Sequence, residues 1–221
     1  MECLIKPLLE KNMAEKIIQS IEINPTSWES GKNTAGSLAA KQKNNLQLSK
    51  KSEIAISNSN LIVEEITSDQ LIKSFALPRK VHSVMFTKTC KGQGYGSHID
   101  NAYMSTGRSD LSFTLFLNDP NEYEGGELSI QSLQDEKTIK LPKGHIVIYP
   151  STTLHSVNKV TAGERIVCVG WIQSYVVNNE DRNLLFGLDA GARGILANSG
   201  RSKELDLVFQ AYSNLLRRLG D

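Results

Sequence analysis

The stretch Tyr95-Gly96-Ser97-His98-Ile99-Asp100, read together with Tyr149-Pro150-Ser151-Thr152-Thr153-Leu154-His155 and with Arg165 ten residues later, decides the fold. Residues two apart on a strand face the same side, so His98 and Asp100 present an imidazole and a carboxylate together. His155, arriving from a distant strand, then closes a 2-His-1-carboxylate facial triad. Such a set leaves open coordination positions and is the signature of non-haem Fe(II) oxygenases. Arg165 adds a rigid fork for a carboxylate, which an iron enzyme consuming 2-oxoglutarate requires.

Around this pair of motifs the chain reads as strands. Val81 to Thr89 is a strand, and Gly92, Gly94 and Gly96 loosen the backbone before His98. Leu111 to Leu117 is another, and Gly125-Gly126 permits a tight connection into Leu128-Ser129-Ile130. Thr138 to Leu141, Ile146 to Tyr149 and Arg165 to Val176 complete a series of short strands, which predicts a jelly-roll sandwich or barrel. This β-core covers 79–177, between an N-terminal helical support region (1–78) and a C-terminal helical region (178–221).

In the first region Met13, Ile17, Ile18 and Ile21 share a helix face, and Thr67-Ser68-Asp69 reads as a cap before Leu71, Ile72, Phe75 and Leu77. Pro78 stops that helix. Asn24 to Lys51 is loop by composition, although Trp28 and Thr34-Ala35-Gly36 suggest local packing. In the last region Leu184, Leu185, Phe186 and Leu188 predict a short helix closed by a glycine turn. Leu205, Val208, Tyr212, Leu215, Leu216 and Leu219 form a longer stripe, with Arg217-Arg218 suited to the helix C-terminus. These stripes cover the sheet or each other, and they also offer a surface for a homodimer.

Bulk properties narrow the function classes. The 221 residues carry 25 Lys and Arg against 24 Asp and Glu, so no long-range field favours nucleic acid or an anionic membrane. Apolar runs such as Ile166 to Trp171 are too short to span a bilayer. The start of the chain, with Glu2 and Lys6, does not read as a signal peptide. Cys3, Cys90 and Cys168 are odd in number and lack metal-ligand spacing, so a reducing cytoplasm is the simplest setting.

Each candidate has a plainer alternative. His82 and His145 read as structural: the first has no acid at i+2, and the second follows Lys143-Gly144 at a strand entrance. Arg165 could pair with Glu164 at the surface, a contact of little worth, but its phase against His155 favours a buried role. Tyr95 and Thr114 could each add a hydroxyl to the same carboxylate. Trp171, Phe113 and Phe116 read first as core and second as pocket wall.

The segment Y-G-S-H-I-D-N-A-Y-M (95–104) resembles the iron motif of the PKHD-type hydroxylases, bacterial Fe(II)- and 2-oxoglutarate-dependent dioxygenases akin to prolyl 4-hydroxylases. The likeness runs on through R-S-D-L-S-F-T-L-F-L-N-D-P, E-Y-E-G-G-E-L, K-L-P-K-G, Y-P-S-T-T-L-H, G-W-I-Q-S, L-L-F-G-L-D and N-L-L-R-R, with T-A-G and K-N-N-L-Q-L earlier. His145 departs from the pattern, where an acid is more usual. The resemblance implies a double-stranded β-helix core with flanking helices. It also implies iron ligands at His98, Asp100 and His155, and a 2-oxoglutarate arginine at Arg165. Fe(II), 2-oxoglutarate and O₂ are the implied reactants, with L-ascorbate as a rescuing reductant, and an unidentified peptide or small molecule is hydroxylated as succinate and CO₂ are released. Two rivals remain at this point: a cupin-like hydrolase or isomerase using another metal, and a silent sheet domain serving as an iron-responsive binding module.

Overall fold

The computed structural model describes residues 3–23, 27–34, 43–132 and 134–221. Ala35 and Gly36 of the early T-A-G motif lie outside them. The N-terminal region carries β1 (Leu4–Pro7), α1 (Lys11–Glu22), β2 (Trp28–Ser30), β3 (Leu46–Leu48), α2 (Glu53–Ser68) and α3 (Gln70–Ala76). The core follows with β4 (Pro78–Cys90), β5 (Tyr95–His98), β6 (Tyr103–Met104), β7 (Gly107–Arg108), β8 (Leu111–Phe116) and β9 (Tyr123–Gly125). It continues through β10 (Leu128–Gln131), β11 (Glu136–Ile139), β12 (His145–Pro150), β13 (His155–Val157) and β14 (Val160–Ser174), and α4 (Asn179–Ser199) and α5 (Lys203–Leu219) close the chain.

Alternation along β14 sets the layers. Ile166, Cys168 and Ile172 point to one face and join Phe86, Leu111, Leu115, Ile146 and Ile148 in the larger core. Ile17 and Ile21 of α1, Ile62 and Ile66 of α2 and Ile72 of α3 cover that face. Arg165, Val167, Val169 and Trp171 point to the other face, toward a second sheet. The major sheet runs β1-β12-β8-β14-β4-β3-β2, with β9 also on β14, and the minor sheet runs β11-β10-β13-β5. Strands buried on both faces read as continuous apolar runs with few charges, as Leu111–Phe116 does, all six residues buried. Between the sheets a smaller cluster of Phe116, Leu128, Ile130, Ile139, Val147, Tyr149 and Val167 fills one end. A cavity adjoins this cluster, with Leu128 and Tyr149 in its wall. This is the double-stranded β-helix with helices on its N- and C-terminal flanks.

Several elements differ from the sequence reading. Asn24 to Lys51 is not all loop: β2 and β3 pair there and extend the major sheet through Leu46↔Lys88 and Gln47↔Thr87. Their three residues each are too short for a period to register, and hydrogen bonding to β4 holds them. The first residues form β1, paired with β12, rather than helix. Arg165 lies inside β14, which begins at Val160. α4 is longer than α5 and runs through Gly187, Gly191 and Gly194 to Gly200, which has a φ of +75°. No atom beyond the helix itself approaches within 4 Å of where a Cβ would stand on those three glycines, so they cause no packing break. The cap at Asp69 is present, its carboxylate accepting from the Ile72 N–H at 2.9 Å. The three cysteines are free thiols, and no helix is long and apolar enough to cross a membrane among the described residues.

Candidate metal centre and its cavity

β13 lies between β10 and β5, and its register places His155 directly opposite His98. The two rings are 4.3 Å apart, centroid to centroid. Asp100 stands two residues past the end of β5, where the chain leaves the sheet, and Ile99 turns outward to solvent. A ligand atom from each of His98, Asp100 and His155 can be chosen so that all lie within 4.8 Å of one another. Asp100 Oδ2 is 3.7 Å from His155 Nε2.

The far ring nitrogens of both histidines and the Asp100 carboxylate are tied down. His98 Nδ1 donates to the Gly96 carbonyl at 2.8 Å and His155 Nδ1 to the Thr153 carbonyl at 2.9 Å. Both bonds favour the tautomer with Nε2 bare, the form a metal needs. Asp100 Oδ2 accepts from Ser112 Oγ at 2.6 Å, and Ser112 is backed by Ser151 at 2.7 Å. Burial, reinforced by the neighbouring His155, pushes His98 down to about 4, so its ring is neutral near pH 7. Tyr95 stacks on the His98 ring at 3.6 Å, and burial next to Asp100 pushes its hydroxyl up to about 12.

Arg165 enters the same cavity from the major sheet, 2% exposed, with its guanidinium 5.4 Å above the Phe116 ring. Among the described residues its Nε is buried without a hydrogen-bond partner, as is the hydroxyl of its neighbour Tyr123. Burial lowers the guanidinium's affinity for its proton, and only nearby Tyr123, Tyr149 and, more weakly, Glu127 oppose that. A buried cation without a paired carboxylate is costly. A cavity of about 320 Å³ is lined by Arg165, Thr114 and Tyr149 together with the triad. Tyr149 is fully buried, and burial raises its hydroxyl well above the usual range, with Thr114 as hydrogen-bonding neighbour. The donor set suits Fe(II), and the arginine suits the far carboxylate of a keto diacid.

The structure therefore brings together all four residues singled out in the sequence. Thr114 and Tyr95 line the cavity, as do Trp171 and Phe113, while Phe116 sits beneath Arg165. His82 is held on the Arg108 carbonyl at 3.0 Å, away from the triad. Ser112, Tyr149 and Lys43 were not singled out. For the first two, alternation within Leu111–Phe116 and His145–Pro150 is the signal that turns them inward. Lys43 had none.

Residues 82–173 match the model of the 2OG-Fe(II) oxygenase superfamily. A PKHD-type hydroxylase of Prochlorococcus marinus strain MIT 9211 is 70% identical over 221 residues, covering all of both chains. The chain belongs to the PKHD-type hydroxylase family. A second family member, from strain MIT 9313, is 61% identical over 220 residues and again covers both chains. The hydroxylase also shares its fold with a Pseudomonas putida prolyl-4-hydroxylase, at a TM-score of 0.58 and 15% identity over 78% of this chain and 92% of that one. A prolyl hydroxylase from Trichoplax adhaerens gives a TM-score of 0.58 at 14% identity, over 83% and 86%. This hydroxylase is thus an oxidoreductase dependent on Fe(II) and 2-oxoglutarate. Neither a hydrolase nor a silent binding module fits that membership.

Proposed function

We propose that His98, Asp100 and His155 hold Fe(II), that Arg165 binds the distal carboxylate of 2-oxoglutarate, and that the enzyme hydroxylates a prolyl-type side chain or a small metabolite with release of succinate and CO₂. The observation that carries this reading is the buried Arg165, its Nε without a partner among the described residues, lining the same cavity as the triad. Fe(II), when bound, would supply the activation of O₂, the oxidant, with two electrons from 2-oxoglutarate as it gives succinate and CO₂ and two from the substrate C–H bond that receives one oxygen atom.

The residues do the rest. Gly96 and Thr153 carbonyls fix the two imidazoles, and Ser112 holds Asp100 so that the ligand atoms converge before any metal arrives. Arg165 orients the cosubstrate by charge-assisted bonds in a site that excludes water. Thr114, hydrogen-bonded to Tyr149, lines the same cavity and would offer a hydroxyl to the same carboxylate. L-Ascorbate belongs to this reading as the reductant that restores oxidised iron.

The test is anaerobic. Fe(II) and then 2-oxoglutarate are added to metal-free protein, and the visible metal-to-ligand charge-transfer band is followed. The wild type is expected to develop the band, Arg165→Ala to need far more 2-oxoglutarate, and His98→Ala to show none. A folded, metal-loaded wild type without the band refutes the assignment.

A further inference from the structure

α4 has two sides, and the chain itself uses one of them. Arg182, Leu185, Asp189 and Ala192 are buried, and α3 and α5 pack against the helix. Leu184, Leu188, Gly191 and Ile195 lie along the opposite side, in steps of four, three and four residues, the spacing of a helix–helix seam. Leu184 is 56% exposed and Ile195 51%, and Val177, also exposed, stands just ahead of the Asn178 cap. Between Asp181 and Arg201 the charged residues are Arg182, Asp189 and Arg193. The first two are buried on the other side, and the third bonds Asp189 at 2.8 Å. The outer strip is therefore apolar and uncharged over most of the helix.

Gly187, Gly191 and Gly194 join or flank this strip. All three are exposed, and beyond the helix itself nothing described comes within 4 Å of where a Cβ would stand. Glycine is the weakest helix former after proline, so three of them weaken α4 with no packing inside the chain to offset the loss. What they permit is the close approach of another backbone. The first turn holds Glu180 and Asp181. A parallel neighbour of the same kind would set these acids, and two like helix dipoles, side by side; an antiparallel one places them at the opposite end, by Arg201 and Lys203. Arg201 also bonds Asp206 of its own chain at 2.8 Å. A net charge of +1 leaves no long-range repulsion between copies.

We propose that the outer face of α4 is a self-association surface, covered by α4 of a second copy of this chain lying antiparallel across it. About a two-fold axis midway between Leu188 and Gly191, Leu188 of each copy sits against Gly191 of the other, and Leu184 against Ile195. Each bump then meets a hollow or an apolar partner, and one patch serves both copies. A single pair of 21-residue helices makes a small interface, so the association belongs in the range of about 1–100 µM.

Sedimentation velocity on the full chain, from about 1 to about 200 µM, tests it. The wild type is expected to pass from monomer to dimer over that range. Gly191→Leu fills the hollow that Leu188 enters and is expected to weaken the dimer at least about tenfold. Its dilute monomer should nevertheless melt no lower than the wild type, since leucine is the better helix former and meets nothing in its own chain. Adding Leu188→Gly to that variant exchanges bump and hollow and is expected to restore association. Ile195→Glu, which puts a carboxylate into the seam, is expected to abolish it. A wild type that stays monomeric at the highest concentration overturns the proposal, and phosphatidylcholine vesicles added to it would show whether a bilayer takes this face instead. A dimer that Gly191→Leu tightens or leaves alone, or that survives Ile195→Glu, also overturns it, because the contact then lies elsewhere or is mere apolar adhesion. So does a folded double variant that associates no better than Gly191→Leu alone.

Discussion

At the residue scale, the atoms that touch the proposed ligands matter as much as those ligands. Ser112 bonds Asp100 at 2.6 Å, so Ser112→Ala frees the carboxylate to rotate. Metal affinity is expected to fall roughly 10- to 100-fold with little loss of stability, as for other groups that orient ligands; chelator competition with Mn(II) measures it. Gly126 has a φ of +69° and a hydrogen where a Cβ would stand 3.0 Å from Arg165 Cδ. Gly126→Ala is expected to cost about 1–2 kcal/mol and to raise the concentration of 2-oxoglutarate needed for the charge-transfer band; unchanged binding would show that Arg165 does not lean on this turn. His98, Asp100, His155 and Arg165 were legible because few side chains serve metal or dicarboxylate chemistry and their spacing suits strands. Ser112 and Lys43 were not legible, because a serine or lysine has many ordinary uses and only tertiary placement distinguishes this one.

At the scale of elements, caps and short pairings do the positioning. Asp69 caps α3, and it also pairs with Lys6 of β1. Asp69→Ala is expected to cost about 1 kcal/mol, the usual worth of such a cap, read as a lower Tm. The β6–β7 hairpin borders the cavity through Met104 and is fastened to β4 by His82, whose Nε2 donates to the Arg108 carbonyl while Nδ1 meets the Thr106 hydroxyl at 2.9 Å. Burial holds His82 below the ordinary imidazole range; Lys80 adds to this, while the Arg108 carbonyl and Asp110 oppose it. The unfolded chain therefore takes up this proton first as pH falls, and the stability His82 contributes is intact above about pH 6.5 and lost as pH drops through its folded value. Tm measured from pH 7.5 to 5 should decline less steeply in His82→Asn than in the wild type; parallel curves would refute the assignment. Long elements such as β4, β8 and α5 were readable from periodicity. β2, β3 and β13, at three residues each, were not, because a run that short takes its conformation from the strands beside it.

At the scale of the whole molecule, the proposed metal centre sits outside the main packing. The larger core joins the outer face of the major sheet to α1, α2 and α3 and contains none of the four site residues. Stripping the metal should leave the fold intact but lower the Tm, since a ligand bound by the native state alone adds about 2.7 kcal/mol at a hundredfold excess over its Kd. Scanning calorimetry with Mn(II) and with chelator should reveal that gap in the wild type and none in His98→Ala. Collapse of wild-type secondary structure on chelation would contradict this division of labour.

The pairing of His155 with His98 across two adjacent strands carries one more consequence. Slipping β13 by a single residue would turn His155 to the opposite face, because side chains alternate at every step. With the proposed ligands, an ion that binds only when both imidazoles meet would act as an internal proofreader of strand alignment. Chains that fold one step out of line would still bury apolar surface, yet they would be inert toward oxygen. With that ligand set, geometry alone would keep oxidative chemistry out of a misaligned chain.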